Sequence, residues 1–350
     1  MFCCSNCFSD NFLSKYISTE SNQNGKCIFC RTRKHYPLLK ATALLDLFQP
    51  LFDLYTEENS GKLMNSLLQT DWNIFSEHIE ERKQLELLSA IIEESTFVSK
   101  RFLSILVMNE ANIDKWNAFS KELKHENRFF PKKEINITQL KELFNYLIMP
   151  KECIPRDIYR ARINRSSSYY SLSEMGKPPS DKAPDGRANP KGISYFYGAS
   201  NEKTAIAESR PYKTDIVHVA KFKLNPKTIL IDLRNPKSTI SPFNLDDDSL
   251  VLLYEEHMPF LLHLSISLSK PILPHKKELE YLPTQYLCEL IKDSGFNGIV
   301  FKSSLEKGDN YVIFDDSFVI GQKVDIFTIS ETAIKSEKQK NEKDKRYTTK

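Results

Sequence analysis

The sequence lacks a long apolar run and a strong net charge. Its longest apolar stretches, residues 251–254 and 258–262, are far shorter than the about 20 residues that cross a bilayer. A formal net charge of +3, from 49 basic and 46 acidic residues, argues against a dedicated duplex-DNA binder. The N-terminus shows no basic segment followed by an apolar run, so no secretory signal is expected. These absences predict a soluble, cytoplasmic protein.

The sequence also lacks the histidine patterns of common hydrolases and nucleases. Four histidines in the C-terminal half have no metal-ligand spacing and are interpreted as structural: His218, His257, His263 and His275. No histidine accompanies a serine in a recognisable nucleophile arrangement, which disfavours a serine hydrolase. Arg82, Arg101 and Arg128 have no histidine at the short spacing typical of helical ribonuclease modules. Nuclease activity is therefore not predicted.

Cysteine is concentrated at the N-terminus, where five of the seven cysteines lie in the first thirty residues. Four of them form two C-x2-C knuckles separated by nineteen residues: Cys4 with Cys7 and Cys27 with Cys30. This spacing is typical of a structural Cys4 zinc site, and without a secretory signal zinc is favoured over disulfides. Cys3 is a spare thiol that could replace Cys4, and His35 is a further substitute. Residues 1–35 are predicted to be a zinc module.

Residues 36–150 are predicted to form an all-α domain of about five helices. Apolar residues recur there at helical spacing, glycine is nearly absent, and Gly61 marks one turn. Pro50 indicates a kink or a break. Trp72 and Trp116 are interpreted as core residues. No polar cluster in this segment suggests catalysis.

A boundary is predicted near Pro150, after which short β runs indicate an α+β domain over residues 151–330. The predicted strands are residues 158–163, 193–197, 216–224, 228–233, 298–301 and 311–314, and the predicted helices are residues 249–268 and 283–292. The loop 166–184 is long enough to be functional. Residues 331–350 are highly charged, and a disordered tail is expected.

Residues 185–210 combine three chemically distinct side chains. Arg187 lies in a Gly-Arg-Ala-Asn loop, Tyr197 ends an aromatic β run, and Glu208 closes an Ala-rich helical turn. A cation for phosphate, a stacking aromatic ring and a carboxylate are what cleavage of a nucleotide's glycosidic bond requires. Strand alternation makes Phe196 the core residue next to Tyr197. Glu202 is interpreted as a solvated residue near the helix start.

Several motifs in order resemble one known family. They are Tyr159-Arg160, Gly186-Arg187-Ala188-Asn189, Tyr197-Gly198-Ala199, Ala205-Ile206-Ala207-Glu208, Gly298-Ile299-Val300-Phe301-Lys302-Ser303 and Asn310-Tyr311-Val312-Ile313-Phe314. The C-terminal part thus resembles the RES family, which is similar in fold to ADP-ribosyltransferases and includes bacterial toxins that degrade NAD. The resemblance covers roughly residues 155–318. The preceding zinc knuckles and helices are similar to the HEPN-like module of some RES proteins.

The resemblance implies roles for individual residues. Arg160 and Arg187 would bind the pyrophosphate of NAD, with Arg162 a competitor for the role of Arg160. Tyr197 would stack on the nicotinamide or the ribose. The family serine would be Ser303 or its neighbour Ser304. Ala188 stands where the family often has an aromatic residue, and Lys302 where proline is common.

Glu208 is the first choice for the catalytic carboxylate, because a fixed negative charge stabilises the oxocarbenium-like cation that develops at the ribose. The expected function is cleavage of the nicotinamide–ribose bond of NAD+ by water or phosphate. This would occur in a toxin–antitoxin or anti-phage setting, where an antitoxin or trigger protein is a possible partner and the N-terminal part would sense it. Membrane and nucleic-acid partners are not expected. The alternatives are a mono-ADP-ribosyltransferase and a zinc-containing module that senses a nucleotide.

Overall fold

The computed structural model describes residues 1–105, 110–132, 137–165 and 168–331. Its α-helices are α1 (Asn11–Glu20), α2 (Leu45–Phe52), α3 (Met64–Trp72), α4 (Glu81–Ile92), α5 (Glu110–His125), α6 (Ile137–Tyr146), α7 (Glu202–Ser209), α8 (Pro236–Thr239), α9 (Asp247–Leu252), α10 (Met258–Ser269), α11 (Lys277–Glu280) and α12 (Leu282–Asp293). Its strands are β1 (Phe2–Cys4), β2 (Gln23–Gly25), β3 (Tyr36–Lys40), β4 (Tyr55–Leu63), β5 (Arg101–Ser104), β6 (Asp157–Ile163), β7 (Phe196–Ala199), β8 (Ile216–Leu224), β9 (Leu230–Asp232), β10 (Gly298–Lys302), β11 (Asp309–Ile313) and β12 (Val319–Thr328).

A seven-stranded sheet forms the C-terminal half, in the order β12-β8-β6-β7-β11-β10-β9. All neighbours are antiparallel except β9 and β10, which are parallel. Each of the six predicted strands overlaps a strand of this sheet, so the α+β prediction is confirmed. Strand β12 was not predicted. It lies at the sheet edge with most side chains partly exposed, so its apolar signal is weak.

The predicted helix 249–268 corresponds to a continuous helical run with an irregular centre. A π-helical turn, Leu253–His257, joins α9 to α10. Such turns widen a helix locally and often mark functional positions. The predicted helix 283–292 corresponds to α12, which extends from residue 282 to residue 293.

The N-terminal half is not all-α, which corrects the prediction for residues 36–150. Strand β3 completes a three-stranded sheet with β1 and β2, and β4 pairs with β5 in a separate antiparallel pair. The partners of these strands are distant in the chain: Tyr55 of β4, for example, is opposite Ser104 of β5. Pairing over that separation depends on tertiary contacts, which local apolar periodicity does not reveal.

A single buried core extends across the predicted boundary at residue 150. Trp116 on α5 packs edge-on against Phe260 on α10 at 5.0 Å, and Phe119 packs against Tyr286 on α12 at 5.4 Å between ring centroids. Trp72 and Trp116 are both buried, as predicted. Ile148 forms a β-bridge to Ile231, which covers the outer edge of β9. The domain boundaries themselves remain a prediction.

In the part of the chain that the structure describes, no helix has the length and apolar character needed to cross a membrane. Residues 332–350 lie outside the described residues, and so do 166 and 167 in the predicted functional loop. The expected disorder of the C-terminal tail is therefore untested.

Candidate active site and metal centre

A cleft of about 290 Å³ opens beside β6, β7 and α7. It is lined by Tyr159, Arg160, Ala161, Arg187, Tyr197, Gly198, Ala199, Ala205, Glu208, Ser209, Phe301 and Asn310, and most of these residues lie in motifs that the sequence singled out. The fold thus brings together side chains that are up to 151 positions apart in the chain (Asn310 against Tyr159). Two cations and one carboxylate share its wall.

Glu208 lies on the last turn of α7, and its carboxylate is held asymmetrically. Asn201 is the N-cap of α7, and its side chain accepts a hydrogen bond from the Thr204 amide at 2.9 Å. The Ser303 hydroxyl and the Asn310 amide both donate to Oε1 of Glu208, each at 2.7 Å. No group in the described residues donates to Oε2. One carboxylate oxygen is therefore fixed and the other is free to face a ligand.

The Ser303 hydroxyl is itself fixed by backbone groups. It accepts hydrogen bonds from the amides of Leu305 at 3.1 Å and Glu306 at 3.3 Å. Because these amides occupy its lone pairs, its proton points to Glu208. Between the two candidate serines, Ser303 is the one that contacts Glu208, and Ser304 is exposed.

Arg160 lies on β6 and lines the cleft. Its Nη1 donates to the Tyr197 carbonyl at 2.8 Å, and its guanidinium lies 5.4 Å from the centre of the Phe196 ring. Its Nε is buried and has no partner in the described part of the chain. Burial, with a smaller contribution from the positive charge of Arg162, lowers the pKa of Arg160 to about 9. This cation has lost water without gaining an anionic partner, which an incoming phosphate would provide.

The Arg187 loop is held from several directions. The side-chain amide of the buried Asn189 donates to the carbonyls of Pro184 at 2.9 Å and Ile193 at 2.8 Å. From α12, Thr284 donates to the Arg187 carbonyl at 2.6 Å and Gln285 to the Gly186 carbonyl at 2.8 Å. The guanidinium donates to the Lys270 carbonyl, at the end of α10, at 2.5 Å. The loop is a rigid support for its cation.

Gly186 is required for this arrangement. A Cβ at position 186 would lie 2.5 Å from both Asn189 Oδ1 and the Tyr197 hydroxyl oxygen.

The two residues that depart from the family pattern do not line the cleft. Ala188 is fully buried in the core. Lys302, the other departure from the family pattern, is exposed at the end of β10.

Tyr197 contributes its ring to the cleft and its hydroxyl to the Arg187 loop. The hydroxyl donates to Asn189 Oδ1 at 2.6 Å and accepts from the Ala188 amide at 3.2 Å. Burial raises the pKa of this phenol above its ordinary value. The hydroxyl is thus already occupied, and only the ring is available to a ligand.

The competing candidates lie outside the cleft. Arg162 donates to the Gly176 carbonyl at 2.6 Å, and Glu202 is in the first turn of α7.

The sequence analysis missed the roles of two residues, Asn310 and Asn189. Both lie within motifs that the sequence displayed, but only the tertiary pairing of β11 with β7 shows that Asn310 reaches α7.

The four predicted zinc ligands also come together, at the N-terminus. The Sγ atoms of Cys4, Cys7, Cys27 and Cys30 all lie within 4.8 Å of one another, and all four residues are buried. The Cys4–Cys30 and Cys7–Cys27 Sγ distances are 3.5 and 3.4 Å. These are far longer than the about 2.05 Å of a disulfide and close to the roughly 3.8 Å edge of a tetrahedron with 2.3 Å Zn–S bonds. Cys3 and His35 are not in this group.

The donor set fits a structural zinc ion. Four thiolates complete a tetrahedral shell and leave no position for water or substrate, so such an ion would fold the module rather than catalyse a reaction. The cluster links the short turn after β1 with the segment before β3, so a bound zinc ion would hold these two parts of the chain together.

Comparison with known proteins agrees with the geometry of the cleft. Residues 157–329 match the RES domain family model, a range that contains every residue of the cleft. No curated protein matches the chain. Residues 157–329 therefore form a RES domain, an NAD-related domain of toxin-like proteins.

Proposed function

We propose that the RES domain cleaves the nicotinamide–ribose bond of NAD+. The observation that carries this proposal is the arrangement of Glu208 at a cleft that Arg160 and Arg187 also line. Its Oε1 is fixed by Ser303 and Asn310, and its Oε2 has no donor among the described residues. Leaving of nicotinamide develops positive charge on the ribose. A carboxylate that is already oriented stabilises this charge without reorganisation in the transition state.

The two arginines supply the phosphate contacts of the proposed substrate complex. Guanidinium groups form charge-assisted hydrogen bonds to phosphate oxygens. The guanidinium of Arg160 is desolvated and its Nε has no partner among the described residues, which favours binding of an anion beside it. Arg187 lies on a loop that α12 and Asn189 keep in place, so it binds without a large loss of backbone freedom.

The size of the cleft indicates how much of NAD+ it encloses. Its volume of about 290 Å³ is at the lower end of the roughly 300–1,000 Å³ of small-molecule sites. We infer that it holds the nicotinamide and its ribose, with the Tyr197 ring against one of them, while the adenosine half extends outward. The acceptor of the ADP-ribosyl group is water or inorganic phosphate.

One assay tests this proposal. The purified full chain is incubated with NAD+ labelled in the adenine ring, with and without inorganic phosphate, and the products are separated. Free nicotinamide with ADP-ribose indicates hydrolysis, and a phosphorylated ADP-ribose that forms only with phosphate indicates phosphorolysis. Label on protein or nucleic acid indicates a mono-ADP-ribosyltransferase. An unchanged NAD+ pool would favour a nucleotide-sensing module.

The cellular setting is part of the proposal. An enzyme that empties the NAD+ pool harms its own cell, so we expect cytoplasmic action under the control of an antitoxin or a trigger protein. Induced expression of the full chain should lower cellular NAD+ and arrest growth, and the Glu208→Gln variant should do neither. Growth arrest without a fall in NAD+ would point to a different toxic activity.

A further inference from the structure

A groove that is far larger than the cleft lies in the N-terminal half. Its volume is about 1,100 Å³, and it lies where β4 ends, α3 and α4 begin, and β5 begins. This volume exceeds the roughly 300–1,000 Å³ typical of small-molecule sites. A groove of this size fits an extended segment of another chain.

A buried acceptor without a partner lies in the wall of this groove. Asn65 on α3 is only 5% exposed. Its amide nitrogen donates to Gln84 Oε1 at 3.0 Å, and Gln84 in turn donates to the Ile79 carbonyl at 3.3 Å, which fixes the orientation of both amides. Asn65 Oδ1 is left with no hydrogen bond in the described residues. An unsatisfied buried acceptor destabilises the folded state, and a peptide N–H is a donor that would satisfy it.

The charge of the groove favours an acidic ligand. Three cations line it, Lys62, Arg82 and Arg101, against the two carboxylates of Glu77 and Glu81. Lys62 forms no ion pair among the described residues, and the side chain of Arg82, which pairs with Glu86 at 3.2 Å, is 89% exposed. Helix α3 begins in the groove wall with no side-chain cap and no acidic residue in its first turn, whereas the first turn of α4 contains Glu81. Uncapped helix N-termini add partial positive charge.

The groove offers no accessible Phe, Tyr or Trp ring to a nucleotide base among its described lining residues. The Phe75 ring is 2% exposed, and the accessible aromatic ring is the small imidazole of His78. Bases are usually held by stacking on accessible rings. A peptide with acidic side chains needs no such ring, because its backbone binds amide side chains and its carboxylates bind the cations.

A series of hydrogen bonds and ion pairs, joined by short backbone segments, connects the groove to Glu208. From its wall, Thr70 accepts a hydrogen bond from Lys237 at 2.6 Å, and Asn73 donates to Ser238 at 2.6 Å; both partners are on α8. Just before α8, Arg234 bridges Asp232 at 2.5 Å and Asp309 at 3.0 Å. Asp309 precedes Asn310, which donates to Glu208.

We propose that this groove is a docking site for an acidic, extended peptide segment of a partner protein, and that α3 and α8 transmit its binding to Asn310. Docking itself is independent of the proposed function. Only the consequence for NAD+ turnover rests on it.

The test of docking begins with a displayed library of random peptides, selected on the immobilised full chain. Enriched sequences should be rich in Asp and Glu. One such peptide, carrying a fluorophore, should lose at least about tenfold in affinity for the Lys62→Glu and Arg82→Glu variants. Lys15→Glu, an exposed lysine on α1, is the matched control and should bind normally. A peptide with Asn and Gln in place of its acidic residues should bind weakly.

The outcomes that overturn docking are equally specific. Enrichment of basic or apolar peptides, no enrichment, or equal loss with Lys15→Glu would contradict it. ATP and NAD+ serve as competitors for peptide binding to the wild-type protein. Displacement of the peptide by either nucleotide would assign the groove to a nucleotide instead. Thermal unfolding of each variant shows that the fold is retained.

Hydrogen exchange tests transmission without using NAD+ turnover. Peptide binding should slow amide exchange at residues 63–73 and 79–85, and should change it at residues 236–239 and 309–313. Protection of the groove alone would refute transmission while leaving docking intact. Because neither measurement uses NAD+, failure of the proposed NAD+ cleavage would be recognised separately.

Discussion

The cysteine cluster and the cleft around Glu208 both gather polar side chains from separate parts of the chain, but they differ in how completely those side chains are satisfied. The four thiols are buried and lie within 4.8 Å of one another. In the cleft, no group among the described residues donates to Oε2 of Glu208 or pairs with the buried Nε of Arg160. A metal site whose ligands are all supplied by the protein stabilises the fold. Polar groups that still have an unused hydrogen-bonding position can bind and act on a substrate. The following predictions test this contrast, from the largest expected effect to the smallest.

Cys27→Ser should have the largest effect. Removal of one thiolate opens the tetrahedral site, and structural zinc contributes about 10–16 kcal/mol in small zinc modules. We expect loss of bound zinc and a melting temperature lower by roughly 10 °C or more. Metal content and thermal unfolding measure both. Cys153→Ser, at an exposed free cysteine, is the control and should change neither. Full zinc retention by Cys27→Ser would contradict the assignment.

Glu208→Gln should lower NAD+ turnover by about a hundredfold to a thousandfold, because it removes the oriented negative charge but keeps size and hydrogen bonding. The melting temperature should hardly change, since Glu208 is exposed. Single-turnover release of nicotinamide measures the effect. Glu202→Gln, on the same helix but outside the cleft, is the matched control. If Glu202→Gln lost activity and Glu208→Gln kept it, the catalytic carboxylate would be misplaced.

Asn310→Ala and Ser303→Ala should each lower the rate constant of bond cleavage by about tenfold to a hundredfold. Each removes one hydrogen bond to a charged oxygen, which is worth about 1.5–3 kcal/mol. The Michaelis constant should change less than kcat, because these residues orient Glu208 and the cations bind the substrate. Ser304→Ala is the control for Ser303→Ala. Equal losses in Ser303→Ala and Ser304→Ala would refute the selective role of Ser303.

Arg187→Ala should raise the Michaelis constant for NAD+ by about tenfold to a hundredfold and leave kcat nearly unchanged. A phosphate contact is made in the ground state and in the transition state alike, so its loss affects binding. Steady-state kinetics separate the two constants. Lys191→Ala, a nearby exposed cation, should be neutral. A pure fall in kcat would mean that Arg187 acts on the reacting bond.

The sequence predicted the parts of the molecule that depend on local patterns. Cysteine spacing identified all four thiols, and period-two apolar runs identified six strands of the large sheet. The Ala-rich turn before Glu208 corresponds to α7. These features follow from residues that are near one another in the chain.

The remaining features depend on contacts between distant segments. Pairing of β4 with β5 places residues 55–63 in a strand that local periodicity assigned to helices. The approach of Asn310 to Glu208 requires β11 to lie beside β7. The role of the Tyr197 hydroxyl in holding the Arg187 loop depends on the fold of residues 184–193 around Asn189. Local sequence patterns do not predict these contacts, because each contact forms only when distant segments of the chain have folded together.

The continuous core across residue 150 limits how this protein can be switched on. Trp116 is embedded against Phe260, and ion pairs join Lys124 to Glu280 at 2.8 Å and Lys141 to Asp293 at 2.7 Å. A proteolytic cut near Pro150 followed by release of the N-terminal fragment would expose the apolar sides of α10 and α12 to water. The freed RES domain would then aggregate rather than gain activity. The N-terminal half is therefore a permanent part of the folded enzyme, and any signal it receives must act while it stays in place.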